Sequence, residues 1–146
     1  MAEITIKHTA TYQCSAETVF AALTDVDLEP KWQPNLLRIW HEPAGPIGEG
    51  AVISRERKIM GKPATQVSVV VAFEPPTRLE MRDKPGVDQQ PFRISYSLVP
   101  LREGVTRLEF VMVIAGVPGL FASPVRKRLT GEVSGQFNLL GDLLAG

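Results

Sequence analysis

From Ile4 to Tyr12 apolar and polar residues alternate: Ile4, Ile6, His8, Ala10 and Tyr12 share one face, and Thr5, Lys7, Thr9 and Thr11 the other. Successive strand side chains point to opposite faces, so the segment predicts a strand with one face on a core. Ser15 is suited to accept from the free N–H groups at a helix start, and Glu17 suits the positive end of the helix dipole. Val19, Phe20 and Leu23 follow at helical spacing, which predicts a short helix over residues 16–24. Asp27 is placed to cap a second short helix holding Pro30 and Trp32, and Pro34 helps to end it.

Beyond this point the two-residue period returns. Strands are expected over residues 36–42, where both faces carry large side chains, and 51–60. Val67, Val69, Val71 and Phe73 then alternate with Gln66, Ser68, Val70 and Ala72, and Pro75-Pro76 breaks that run. Further strands centre on Leu79 and Met81, on Phe92, Ile94, Tyr96 and Leu98, and on Leu108, Phe110, Met112 and Ile114. Gly61-Lys62-Pro63, Lys84-Pro85-Gly86 and Glu103-Gly104 are turn signals between them, and the whole reads as an antiparallel meander. The period then changes. Val125, Leu129, Val133, Phe137, Leu140 and Leu144 form one helical stripe, with Ser123 as cap and Pro124 at the first helical position. About 22 residues at ~1.5 Å each give ~33 Å, as long as a strand of about ten residues, so this helix can lie across the sheet. The expected fold class is α+β: a curved antiparallel sheet of about seven strands gripping a long C-terminal helix, with two short helices after the first strand. One rod does not fill a bent sheet, so an internal cavity is expected beside it. Gly131 and Gly135, one turn apart in the helix, read as close backbone packing or as room for a ligand.

The chain has 146 residues, a length that suits one domain spanning 1–146. Its 44% hydrophobic content supports a packed core. Sixteen basic and sixteen acidic residues cancel, which leaves no global field to attract nucleic acid. Cys14 is the single cysteine, so an intrachain disulfide and a thiolate metal cluster are excluded. The start, Met1-Ala2-Glu3-Ile4-Thr5-Ile6-Lys7, lacks the features of a signal peptide, and no run approaches the ~18 apolar residues of a membrane span. A cytoplasmic protein without integral membrane association is expected, and its oligomeric state is not legible.

Chemistry-bearing residues are few. His8 and His41 are the only histidines, and no metal-ligand spacing, phosphate loop or nucleophile elbow occurs. No cofactor and no metal are expected. His8 interrupts an apolar strand face and should point inward, either held by backbone or a Tyr hydroxyl, or free to bond a ligand or act as a base. His41, near a loop, is expected to be solvated. Arg55 and Arg57 share a face with Ile53 and Ile59, while Glu56 and Lys58 share the other with Ser54. The plainer reading is a charged ladder at a strand end or sheet edge. If the arginines turn inward, each must meet a carboxylate, water or an anionic ligand. Trp32, Trp40, Met81, Phe92, Tyr96, Phe110, Met112, Phe121 and Phe137 would wall the interior, and the Tyr96 hydroxyl needs a partner if buried.

The order of elements resembles the START-like helix-grip superfamily, also called SRPBCC or polyketide cyclase/dehydrase-like, over nearly the whole chain. The most specific match is Tyr12-Gln13-Cys14-Ser15-Ala16-Glu17-Thr18-Val19-Phe20-Ala21-Ala22-Leu23-Thr24-Asp25 followed by Trp32, with Ser15 where the family usually has proline. Phe73-Glu74-Pro75-Pro76-Thr77-Arg78-Leu79 looks like its strand-turn-strand signature. The resemblance implies a cavity for a small hydrophobic or amphipathic molecule, whether lipid, aromatic or polyketide-like, and leaves function open among carriers, cyclases and protein-binding regulators. The favoured expectation is ligand binding by His8, Trp32, Arg55, Arg57, Met81, Phe92, Tyr96, Phe110, Met112 and Phe137. The alternatives are a cyclase or dehydratase in which His8 or Tyr96 moves a proton, and a protein-interaction regulator.

Overall fold

The alternating segments pair as expected. A computed structural model describes residues 1–59 and 61–146. Its elements are β1 (Ala2–Tyr12), α1 (Ala16–Thr24), α2 (Glu29–Trp32), β2 (Leu36–Glu42), β3 (Val52–Ile59), β4 (Lys62–Glu74), β5 (Arg78–Asp83), β6 (Phe92–Arg102), β7 (Val105–Val117) and α3 (Gly119–Ala145). Residue 60, the last of the strand expected over 51–60, lies outside the described residues. All seven strands are antiparallel in one curved open sheet of order β1-β7-β6-β5-β4-β3-β2. Register shifts at Ala2/Ile4, Leu36/Arg38, Val70/Ala72 and Pro100/Arg102 mark irregular pairing, and bulges of this kind bend and twist a sheet. Because β1 and β2 are opposite edges, the chain must cross the sheet between them, and α1 and α2 make that crossing.

The inward face of β1 is Ile4, Ile6, His8, Ala10 and Tyr12, and the paired inward face of β7 is Leu108, Phe110, Met112 and Ile114. Ser15 caps α1 as its position suggests, its hydroxyl accepting from the Thr18 amide at 3.2 Å. Asp27 does not cap α2. Leu28 stands at that cap without a side-chain bond, and Asp25 instead accepts from the Asp27 amide at 3.1 Å. Lys62 and Pro63, expected in a turn, belong to β4, with Ile59 opposite Lys62; the left-handed backbone of Gly61, φ 81°, serves the tight reversal.

The terminal helix is longer than its stripe. It has 27 residues, roughly 40 Å, and starts at Gly119 behind Pro118, so Ser123 is no cap and Pro124 lies inside the helix. Leu120 and Phe121 face away from the core, which is why no stripe announces the first turns. The helix is seated by its C-terminal half. Val133, Phe137 and Leu140 are buried, Val125 and Leu129 only partly, and Leu120 is 85% exposed. The Tyr12 hydroxyl donates to the Phe137 carbonyl at 2.9 Å, and a Cβ on Gly141 would lie 3.2 Å from the Tyr12 ring. Gly131 and Gly135 do not serve close backbone packing: both are exposed, and nothing lies within 4 Å of a Cβ built on either. The close approach belongs to Gly141.

These glycines should therefore respond oppositely to substitution. Gly131→Ala and Gly135→Ala are expected to raise unfolding free energy by up to about 1 kcal/mol each. Gly141→Val should lower it by about 1–3 kcal/mol by wedging α3 off Tyr12. Urea denaturation of the three variants checks this, and a neutral Gly141→Val would show that the helix is not seated there.

Candidate functional site

The strand alternation of β3 carries Ile53, Arg55 and Arg57 to the concave face, with Ile53 and Arg55 buried. Of the charged ladder expected at a strand end or sheet edge, the edge is corrected: β3 lies between β2 and β4, and Glu29 of α2 meets Arg55 on the inward side. Arg55 meets a carboxylate there. Its Nε and Nη2 donate to the two oxygens of Glu29, Nη2 at 3.0 Å, in a two-point pair. Nη1 donates to Ser68 Oγ at 3.2 Å, Ser68 in turn donates to the Ile53 carbonyl, and Met81 Sδ stands 4.0 Å from Nη2. Burial opposes the Arg55 charge, but the field and hydrogen bond of Glu29 more than offset it and raise its pKa.

Arg57, half-buried one pleat further on, has a different surrounding. Its Nε donates to Gln66 Oε1 at 2.9 Å and its Nη1 to Gln33 Oε1 at 2.5 Å. Burial first, then the neighbouring Arg55, pull its pKa down to about 10 against the opposing pull of Glu29. Tyr96 lies within the field of the same three charges, and burial followed by Glu29 drives its phenol pKa upward. No hydrogen bond joins the Tyr96 hydroxyl to another described residue, although the side chain is buried.

Beside this polar group sits an aromatic cluster centred on Phe137 of α3. Phe110 lies edge-on at 5.0 Å, His8 is stacked at 5.4 Å, Trp32 is at 5.9 Å and Tyr96 is edge-on at 6.2 Å between ring centres. Trp32 is 1% exposed, and its indole Nε1 is buried with no hydrogen-bond partner. His8 is half-buried and, among the described residues, bonded to neither backbone nor Tyr hydroxyl; its ring stacks on Phe137.

The sequence candidates thus separate into groups. His8, Trp32, Tyr96, Phe110 and Phe137 come together, with Arg55, Arg57 and Met81 alongside. Met112 is on the same inward face but only partly buried. Phe92 is set apart, lining an outer concavity of about 280 Å³ with Arg82, Asp83 and Arg93. Two supposed wall residues fail: Trp40 is 38% exposed under the Arg38 guanidinium, and Phe121 is exposed on α3. His41 borders a second surface concavity of about 430 Å³ near Asp25 and Pro46. Glu29, Gln33, Gln66 and Ser68 were not foreseen; no sequence pattern marks them, since each is recognised only by the arginine it faces.

The expected internal cavity is not among the concavities described: both lie at the surface, and neither is lined by Phe137 or its ring neighbours. Aromatic rings fill the middle of the grip, around Phe137. Toward the N-terminal half of α3 the seal loosens on both sides. Leu108 and Phe110 of β7 are buried while Met112 and Ile114 are only partly buried, as are Ile94 of β6 and Val125 and Leu129 of α3. No group of three or more His, Cys, Asp or Glu close enough to hold a metal occurs among the described residues, and no described helix is long and apolar enough to cross a membrane.

The family model for polyketide cyclase / dehydrase and lipid transport proteins matches residues 3–144. Comparison with curated protein sequences gives no match. Among solved structures, a START superfamily protein from Mycobacterium smegmatis is similar at 18% identity and TM-score 0.77, with 97% of each chain covered. A Thermus thermophilus protein is similar at 14% identity and TM-score 0.81, also over 97% of each chain. A Thalictrum norcoclaurine synthase in complex with a transition-state analogue is similar at 13% identity and TM-score 0.71, over 99% of this chain and 95% of that one. At these identities the likeness is one of fold.

Removing one partner of the buried pair should be far costlier than removing both. Glu29→Gln leaves Arg55 buried without its counter-charge and should cost about 3–5 kcal/mol, whereas Glu29→Leu with Arg55→Met should restore most of that loss. Denaturant unfolding of the single and double variants measures the difference. A loss under ~1 kcal/mol in the single variant would mean that the pair is solvated.

Proposed function

We propose that this chain, which belongs to the polyketide cyclase / dehydrase and lipid transport family, holds a small hydrophobic or amphipathic molecule between the N-terminal half of α3 and the inward face of β5–β7. The observation that carries the reading is the Trp32 indole N–H, buried without an acceptor. An unmet buried donor costs about 1–3 kcal/mol, and an acceptor on a bound molecule would recover it. Tyr96, whose side chain packs beside the same aromatic cluster, offers its hydroxyl as a second contact. The apolar part would lie against Ile94, Met112 and Ile114 on the sheet and Val125 and Leu129 on the helix, inward positions left only partly covered by the protein. Met112 adapts easily to varied shapes. Burying ~200 Å² of apolar ligand surface contributes about 5 kcal/mol before the costs of association. The norcoclaurine synthase holding a transition-state analogue supports this fold as a container for an organic molecule.

Proton transfer by His8 or Tyr96, as in a cyclase or dehydratase, is the second reading. It is favoured by one fact: both rings lie against Phe137, 5.4 and 6.2 Å from it, so one molecule near Phe137 would meet both.

The test uses the protein with Trp40→Phe, which leaves Trp32 as the sole tryptophan emitter. A panel of fatty acids, fatty alcohols and fused aromatic molecules is titrated while Trp32 emission and melting temperature are followed. At least one class should shift the emission and raise the melting temperature, and Trp32→Phe should weaken its binding about tenfold through loss of the hydrogen bond. A panel that leaves both signals unmoved would sink the ligand reading.

A further inference from the structure

Two arginines lie side by side on β3, but only one has a carboxylate. Glu29 faces Arg55 with both oxygens, which leaves little of it for Arg57. Arg57 is held by neutral groups alone, Gln66 and Gln33. A guanidinium has five N–H donors, and these bonds use one on Nε and one on Nη1, so Nη2 and the second Nη1 hydrogen have no partner among the described residues. Glu132 of α3 is the other carboxylate within reach of its field, but it is exposed and engaged by Arg128 Nε at 3.1 Å. Glu29, Arg55 and Arg57 therefore leave one positive charge over, half-buried and uncompensated. Burial first, and then Arg55, pull the Arg57 pKa down to about 10, against the raising fields of Glu29, Tyr96 and Glu132. A lone charge in such a place is costly unless a counter-ion joins it.

We infer that the bound molecule is an amphipathic carboxylate whose head group pairs with the Arg57 guanidinium while its apolar body lies along the open half of the grip. This rests on the ligand reading above and narrows it to one chemical class. A carboxylate carries the single negative charge that is missing, and its two oxygens match the guanidinium fork. Gln33, which holds Arg57, directly follows Trp32 in the chain, so one short segment carries both the orphan indole N–H and the group that orients the guanidinium. Neutral Gln33 and Gln66 fix the orientation of Arg57 without cancelling its charge, the arrangement expected of a group kept ready for an anion.

Matched pairs of probes test this: decanoate against decanamide and naphthoate against naphthamide, titrated by calorimetry at neutral pH with wild-type protein, Arg57→Gln and Arg57→Lys. The acid of at least one pair should bind roughly ten- to hundredfold more tightly than its amide. That preference should collapse to about unity in Arg57→Gln and be partly kept in Arg57→Lys. Equal affinity of acid and amide in the wild-type protein overturns the inference while leaving the ligand reading standing. A preference that survives unchanged in Arg57→Gln overturns it too, because the carboxylate then binds elsewhere. No binding by any of the four probes overturns this inference together with the reading beneath it. The wild-type ratio decides even if Arg57→Gln fails to fold.

Discussion

The ion pair between Glu29 and Arg55 is the interaction on which the interior depends. It joins α2, a helix of one turn, to β3, the strand next to the β2 edge of the sheet, and no helix that short holds itself in water. Once Glu29 is fixed, Trp32 one turn later is fixed against Phe137, and Gln33 is brought to Arg57. The same carboxylate has both oxygens on Arg55 and reaches Arg57 only through its field. A structural bond thereby leaves an imbalance behind it: the Arg57 charge has no carboxylate of its own, and the Trp32 indole N–H and the Tyr96 hydroxyl have no hydrogen-bond partner among the described residues.

The second constraint is that α3 is held at one end. Tyr12 and the small Gly141 lock its C-terminal half to β1, and Phe137 brings in rings from β1, α2, β6 and β7. Its first turns have no such anchor. Pro124 has no N–H to return to the carbonyl one turn back, and Leu120 and Phe121 point away from the core. A helix seated over half its length closes the interior there and leaves the other half less tightly covered, as Met112, Ile114, Val125 and Leu129 show. The partly covered apolar positions and the polar group around Arg57 follow from separate features of the chain.

The strands were legible because one buried face repeats every second residue: β1 could be read from Ile4 to Tyr12, and the inward face of β7 from Leu108 to Ile114. The helical stripe located the buried part of α3 for the same reason and missed the part that buries nothing. The site was half legible. Alternation put Arg55 and Arg57 on one face with Ile53, but it does not say which face wins, and Glu29 sits 26 residues from its partner with nothing in its own neighbourhood to announce it. Aromatic residues were readable as a class and not individually: Trp32 and Trp40 look alike in the sequence, while one is sealed against Phe137 and the other lies under Arg38 at the surface. Glycine misled in the same way, since helical spacing marks Gly131 and Gly135 but only the tertiary contact with Tyr12 singles out Gly141.

The measurement that bears most directly on this account is the pair of tryptophan indole N–H signals in a proton–nitrogen correlation spectrum. Trp32 and Trp40 give one each. Without ligand, the Trp32 signal should lie upfield, as for an N–H with no acceptor, and should exchange slowly with solvent. On saturation with a molecule that binds, it should move downfield as it acquires an acceptor, while Trp40 stays in place. A bound molecule that leaves the Trp32 indole signal where it was would contradict the account.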